Sequence, residues 1–590
     1  MSNIKEKLVI ANCSGFFGDR ITAAREMVQG GHIDVLTGDY LAELTMAILF
    51  RTKLQDPQKG YAATFLKQME QVMGECLDKK IKIIANAGGL NPKGLAATLE
   101  KMAKELGLSP SIACIEGDDL MGRINELQED GEPFTHLDKG KSLKEANAVP
   151  ITANAYLGGW GISKALEAGA DIVVGGRIAD AALVSGPCAW KFNWKQNDWD
   201  RLAGAYVAGH IIECGAQATG GNYSFLEEVP SFHNVGFPVA EMHADGSFVI
   251  TKHKNTGGLV SVGTVTAQLL YEIRDPAYLT PDVIARFDTI TLKADGEDRV
   301  KVENVRGEPP TDHTKVCINN LYGYRNSMTV VLTGLDIGKK AKIVEDTFLE
   351  TLGGRNAFSA IDIQLTRSGK DNPETNEDAY SYLRITVMDP DQKKAGKLFS
   401  SKIVELALAN IPGFTLTSPP TNGMPAIQHW PALVSSKHIC QRVMVGGAEH
   451  LVNAVLPIPD YPKPSVNEIP CSPMPKGQMI SAPLGRAFAT RSGDKGGNAN
   501  LGVWSKTSQG YSFLKEFLTI DQLKRLLPDM KEYKMERHEL PNLNALNFYI
   551  KGVLGEGAAA SMRSDPQAKT LGEYLRAKVI DMPESILTSL

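Results

Sequence analysis

From residue 8 to about 215 the chain repeats one pattern: a short run rich in Val and Ile, ended by a small or polar residue and followed by a longer helical stretch. The runs are Leu8–Asn12, Ile33–Thr37, Ile81–Asn86, Ile112–Glu116, Pro150–Asn154 and Ile172–Val174. Strands apolar on both faces that alternate with helices belong in a parallel sheet covered on each side. Right-handed crossovers turn such units into a doubly wound sheet or, with enough strands, a closed barrel. Six runs predict the open, doubly wound α/β sheet, with a barrel as runner-up. Local signals agree: Asp19 precedes a helix through Val28, Asn91-Pro92 sets proline at a first helical position, and Asp198–Ala216 predicts a buried helix.

Beyond about 220 the texture changes. Period-two strands are expected at Ser247–Thr251, Val260–Leu269 and Thr289–Lys293, with helices at Lys339–Leu352 and Gln392–Ala409. Strands at Ala360–Thr366 and Tyr382–Val387 complete an α+β module. Residues 457–483 hold eight prolines in 27 positions, which makes an extended, stiff linker. The expected division is therefore an α/β domain over 1–219, an α+β module over 220–456, the linker, and a small α+β domain over 484–590. In that last part strands are expected near Gly485–Thr490, Asn500–Ser505 and Ala545–Lys551, with helices near Tyr511–Leu526 and from Thr570.

A net charge of −5 over 590 residues, with no long basic run, leaves no electrostatic footprint for nucleic acid. No run is apolar and long enough to anchor the chain in a membrane, and the opening residues lack a signal-peptide pattern. The eight cysteines are scattered without a Cys-x-x-Cys pair, as expected of reduced cytoplasmic thiols. A cytoplasmic enzyme, homo-oligomeric on general grounds, with a small-molecule partner and neither nucleic acid nor membrane, is the expectation.

Ligands of open parallel sheets bind beyond the carboxyl ends of the strands. Those ends read Asn12-Cys-Ser-Gly15, Thr37-Gly-Asp39, Asn86-Ala-Gly88-Gly89, Glu116-Gly-Asp-Asp119, Asn154-Ala-Tyr156 and Gly175-Gly176-Arg177-Ile-Ala-Asp180. One rim thus collects Asn12, Gly15, Asn86, Gly88, Gly89, Asn154, Tyr156, Gly175 and Gly176 as candidate binding groups. Turn chemistry alone explains any single loop of this kind; the rim as a whole reads as a site. Arg177 and Asp180, one helical turn apart, form either a substrate clamp or an i, i+3 ion pair. Asp39, Arg177 and Asp180 are the candidate catalytic residues, with carboxylates moving protons. Gly15-Phe-Phe-Gly18 lacks dinucleotide spacing and no P-loop occurs, so neither standard nucleotide site is expected. No His-x-His or His-Glu-x-x-His pattern is present, and no cofactor is identified; Asp39, Asp118, Asp119 and Asp180 leave a divalent metal open. Cys13 at the first strand end is a core thiol before it is a nucleophile.

A second dense signal is Arg491-Ser-Gly-Asp494-Lys495-Gly-Gly-Asn498, between two strands. Cations among glycines make a nest suited to a phosphate or carboxylate, so Arg491, Asp494, Lys495 and Asn498 join the candidate binding residues. The loop Arg491–Asn498 is expected to fold over the rim of the large domain, from the same or a neighbouring subunit, and to complete the ligand site.

The blocks Ile151-Thr-Ala-Asn-Ala-Tyr-Leu-Gly-Gly-Trp-Gly-Ile162, Val174-Gly-Gly-Arg-Ile-Ala-Asp180 and Arg491–Asn498 resemble the acyclic terpene utilisation protein A (AtuA) family. The resemblance covers almost the whole chain and implies a ferredoxin-like C-terminal domain. It also implies a place in citronellol and geraniol catabolism, which runs through acyl-CoA thioesters. The expected activity is that of a lyase, by C–C lysis or hydration of a branched acyl-CoA through a thioester enolate. The alternative is a non-catalytic acyl-CoA-binding partner of other pathway enzymes.

Overall fold

The structure, a computed structural model, describes residues 7–466, 469–470 and 472–588; Cys471 lies outside them. The described chain forms two compact units. The larger comprises residues up to Asn319, Trp430–Val553 and Gln567 onward; the smaller comprises Asn320–His429 and Leu554–Pro566. Residues 220–456 are therefore shared between the two, and 484–553 lie in the larger.

The larger unit is built on an 11-stranded mixed sheet. Its centre is parallel: β1 (Lys7–Asn12), β2 (Val35–Gly38), β3 (Lys82–Ala85), then β6 (Ile172–Gly175) and β4 (Ile112–Glu116). β2 and β6 are buried at every residue, as expected for strands covered on both faces. Antiparallel strands extend both edges. Beside β1 come β7 (Pro238–His243), β8 (Phe248–Lys252), Arg299–Glu303 and Thr291–Ala294; beside β4 come Cys440–Val445 and Ala448–Asn453.

Two sequence expectations are corrected here. The sheet is mixed, and Pro150–Asn154, within β5 (Pro150–Ala155), is absent from it. β5 pairs with the strand that begins at His313, where Tyr156 N donates to the Lys315 carbonyl at 2.9 Å and Asn319 Nδ2 to Thr152 Oγ1 at 3.0 Å. An apolar run states burial and leaves the partner strand unspecified. Val260–Leu269, read as a strand, is a helix over Val262–Leu269. A capping box starts it: Thr264 N donates to Ser261 Oγ at 3.2 Å and Ser261 N to Thr264 Oγ1 at 3.0 Å. No sheet among the described residues closes into a barrel.

Helices cover the sheet. Trp199–Ile212 is buried along nearly its whole length, as its apolar composition predicts. The C-terminal part of this unit holds a four-stranded antiparallel sheet ordered Ala489–Lys495, Asn498–Trp504, Ala545–Ile550, Met535–Leu540, with helices Ser508–Phe517 and Ile520–Leu526. Its first strand starts at Ala489 rather than Gly485, because Leu484–Arg486 makes a single tight turn.

The smaller unit sets the helix Ile337–Leu352 and the irregular helical run from Lys394 to Leu408 against strands Ala360–Thr366 and Tyr380–Asp389. Phe348, Phe399, Ile385 and Val387 fill its core. Among the described residues no helix is long and apolar enough to cross a membrane.

Candidate functional site

The carboxyl ends of the parallel strands in the larger unit place Asp39, Arg177 and Asp180 in one electrostatic cluster. Asp39 follows β2; its Oδ1 accepts from Asn86 Nδ2 at 2.6 Å and Leu41 N at 3.2 Å, while Asn86 Oδ1 takes the Tyr40 amide at 2.9 Å. Arg177 is 1% exposed; both terminal nitrogens of its guanidinium are engaged, while Nε is buried without a hydrogen-bond partner among the described residues. Nη1 reaches Asp180 Oδ1 at 2.7 Å and the Leu41 carbonyl at 3.2 Å, and Nη2 reaches the Tyr156 hydroxyl at 2.8 Å. The guanidinium carbon also lies 4.3 Å from the Tyr156 ring centroid. Tyr156 in turn donates to Glu43 Oε1 at 3.1 Å, which also receives Lys315 Nζ at 3.1 Å.

The other strand-end residues shape this floor. Asn154 Nδ2 and the Arg177 amide both donate to Asp118 Oδ2 at 2.8 Å. A Cβ on Gly176 would meet Asp118 Oδ1 at 2.3 Å, so only glycine lets that carboxylate approach the backbone. A side chain on Gly175 would strike Ile178, and one on Gly88 the Gly175 carbonyl. Gly89 takes a left-handed φ of +52° against Leu49. Asn12 is turned inward: Nδ2 donates to the Ile212 carbonyl at 2.5 Å and the Glu213 carbonyl at 3.1 Å, pinning the end of helix Trp199–Ile212. Gly15 packs on the backbone of Cys214, where a Cβ would sit 2.5 Å from the carbonyl carbon.

The hairpin of Ala489–Lys495 and Asn498–Trp504 packs onto residues 222–272 of the same unit. Arg491 Nη1 donates to the Asn222 carbonyl at 3.2 Å, and its guanidinium lies 4.5 Å from the Tyr271 ring centroid. Lys569 Nζ lies over the same ring at 4.5 Å and bonds its hydroxyl. Arg491 Nε and Nη2 are buried without a partner. Asp494 and Lys495 project their fields onto the strand-end cluster, Asp494 onto Glu272 and Glu43, Lys495 onto His210 and Glu213. Asn498 is drawn away into the fold, donating to Asp138 Oδ1 at 2.9 Å and the Tyr549 hydroxyl at 2.7 Å.

Burial and crowding of like charge set the protonation of this cluster. Burial first, then Asp180 and Glu213, hold Asp39 well above the usual carboxylate range, against the Asn86 hydrogen bond and Arg177. Asp180 is also raised, by burial and by Glu43 and Glu272, with Arg177 opposing. Burial and Glu272 push Asp494 up to about 7, with Lys569 opposing. Burial, with Lys495 adding, takes His210 down to about 4, so its imidazole is neutral at physiological pH. Burial raises Cys13 to about 12, which keeps it a thiol and removes it as a nucleophile. Such a site sets carboxyls of raised proton affinity beside fixed cations, the equipment of general acid–base chemistry.

Sequence reasoning missed Glu43, His210, Glu213, Glu272, Lys315 and Lys569. His210 and Glu213 had a signal, since they are the polar pair at the end of an almost continuously apolar helix. Lys315 and Glu272 carry none, for only the β5 pairing and the hairpin docking bring them in. Among the described residues no group of three or more His, Cys, Asp or Glu is arranged to hold a metal ion. A separate cavity of about 520 Å³ shares no lining residue with the cluster; Asp200, Arg306, Asn542 and the linker residues Tyr461, Pro462, Pro464 and Ser465 border it.

No curated protein and no solved structure matches the chain. Two family descriptions do: residues 8–445 match the acyclic terpene utilisation family protein AtuA, and residues 482–581 match the AtuA ferredoxin-like domain. The chain belongs to the AtuA family of acyclic terpene utilisation.

Proposed function

We propose that this protein is a cytoplasmic acid–base enzyme of acyclic terpene breakdown that acts on a branched acyl-CoA thioester, by C–C lysis or hydration through a thioester enolate. The supporting observation is the cluster of carboxyls, buried Asp39 and half-buried Asp180 and Asp494, whose proton affinities are raised beside Arg177, Lys495 and Lys569. Enolate chemistry needs a base whose proton affinity is not far below that of the working medium, and burial supplies it. Asp39 or Asp180 moves the proton. Arg177 orients Asp180 and Tyr156 and supplies positive charge for an anionic group; glycine-rich strand ends offer amides to the enolate oxygen. The partly exposed hairpin residues Asp494 and Lys495 meet the ligand at the mouth.

Purified protein is expected to turn over isohexenylglutaryl-type CoA esters, and Arg177→Ala to lose most of that activity. Absence of turnover across a panel of branched acyl-CoA esters, with and without divalent metal, refutes the enzyme reading. Tight thioester binding without turnover, with co-purification of a pathway enzyme, is instead the signature of a non-catalytic acyl-CoA carrier.

A further inference from the structure

We propose that Glu213 is the group that takes the proton from the carbon next to the thioester carbonyl. The proposal rests on the thioester-enolate reading above and deepens it: Glu213 takes the α-proton, and Asp39 or Asp180 is left to move the proton of the later step. Glu213 follows helix Trp199–Ile212 directly, and the Asn12 side chain holds its carbonyl at 3.1 Å, so its backbone is fixed. Its carboxylate is 9% exposed. Oε1 lies 3.2 Å from His210 Nδ1, which makes no hydrogen bond itself, and Oε2 is buried with no hydrogen-bond partner among the described residues. A buried carboxylate oxygen left without a donor is costly to keep unless a ligand or a proton occupies it. Asp180 differs, since Arg177 holds its Oδ1 at 2.7 Å, and Asp39 Oδ1 already accepts from Asn86 and Leu41.

The charges facing Glu213 come from several elements. Asp180, Glu272 and Asp39 repel its anion, while Lys495 and Arg177 attract it. His210, Cys214 and Tyr278 complete the surroundings as neutral groups, the last two with acidities suppressed by burial. Burial and the neighbouring acids hold Glu213 well above the ordinary glutamate value, and Lys495 opposes them. In the step itself Glu213 Oε2 bonds the α-hydrogen. The C–H pair becomes the second bond between the α-carbon and the carbonyl carbon, and the carbonyl π pair moves to oxygen, giving the enolate. Return of a solvent deuteron through the same carboxyl exchanges the α-position.

The test is α-hydrogen exchange in deuterium oxide, followed by mass spectrometry on isovaleryl-CoA, 3-methylglutaryl-CoA and isohexenylglutaryl-CoA. Wild type is expected to exchange at least one of them, with Glu213→Gln slower by about a hundredfold or more and Glu213→Asp between the two. Lys495→Met is expected to move the pH midpoint of exchange upward, since an attraction that favours the anion is gone; this arm holds even where Glu213→Gln folds poorly. Exchange by Glu213→Gln at the wild-type rate, or a midpoint that Lys495→Met leaves in place, overturns the role of Glu213 while the thioester reading stands. A wild type that exchanges none of the three overturns both.

Discussion

Replacing Asp118 with Asn isolates the cost of burying one ionised carboxyl beneath the site. Asp118 is 3% exposed, and burial raises its pKa from 3.8 to about 6 against the hydrogen bonds from Arg177 N and Asn154. The folded chain therefore binds this proton more tightly than the unfolded chain. Between the two values the folded state carries more protons, so stability falls as pH rises through that window and levels off above about 6. At roughly 1.4 kcal/mol per unit, a shift of about two units costs the ionised fold about 3 kcal/mol. Asp118→Asn carries no such proton but can still present one oxygen to the two 2.8 Å donors, so its own penalty is constant with pH. Thermal and urea melts of both proteins from pH 4 to 8 are the assay. Wild type is expected to lose about 3 kcal/mol relative to the variant across the window. Asp282, raised to about 6 by burial in the same way, contributes equally to both proteins and cancels. A stability difference that stays flat with pH refutes the reasoning.

Gly493→Ala sets a methyl group 2.3 Å from the Tyr271 ring and is expected to loosen the docked hairpin, costing about 1–3 kcal/mol; limited proteolysis that cuts variant and wild type at the same rate counts against it. Asn12→Ala strips the carbonyls of Ile212 and Glu213 of their side-chain donor and is expected to destabilise the larger unit by about 1–3 kcal/mol, read as a lower melting temperature. The double variant Arg491→Ala/Lys495→Ala is expected to weaken acyl-CoA binding by tenfold or more in calorimetry, as charge-assisted contacts worth about 1.5–3 kcal/mol disappear; unchanged affinity removes the hairpin from the ligand site.

Local chemistry was legible in the sequence wherever it was self-contained. The five parallel strands, the Asn91-Pro92 helix start and the buried helix at Trp199–Ile212 each announce themselves within one short segment. What failed depends on partners far along the chain. Pro150–Asn154 is as apolar as its neighbours, yet the strand from His313 takes it out of the sheet. Val260–Leu269 reads as a strand until the reciprocal Ser261–Thr264 cap is noticed. The candidate site divides the same way. Arg177 and Asp180 are three residues apart and visible together, whereas Lys315, Glu272 and Lys569 reach the cluster only through tertiary pairing.

The larger unit is assembled from three separate stretches of chain, and this dictates when it can be finished. Strand β4 waits for Cys440–Val445, and residues 222–272 wait for the hairpin that begins at Ala489. Met479–Pro483 pairs with Val579–Pro583, almost at the last described residue. During synthesis the N-terminal strands therefore emerge with their eventual neighbours still hundreds of residues from translation. Contacts of such long sequence separation fold slowly and leave apolar strand edges open meanwhile. A ribosome stalled before Ala489 leaves a chain whose residues 222–272 lack the hairpin that packs on them. Truncation ahead of Cys440 should thus impair β4 as well as the segment removed.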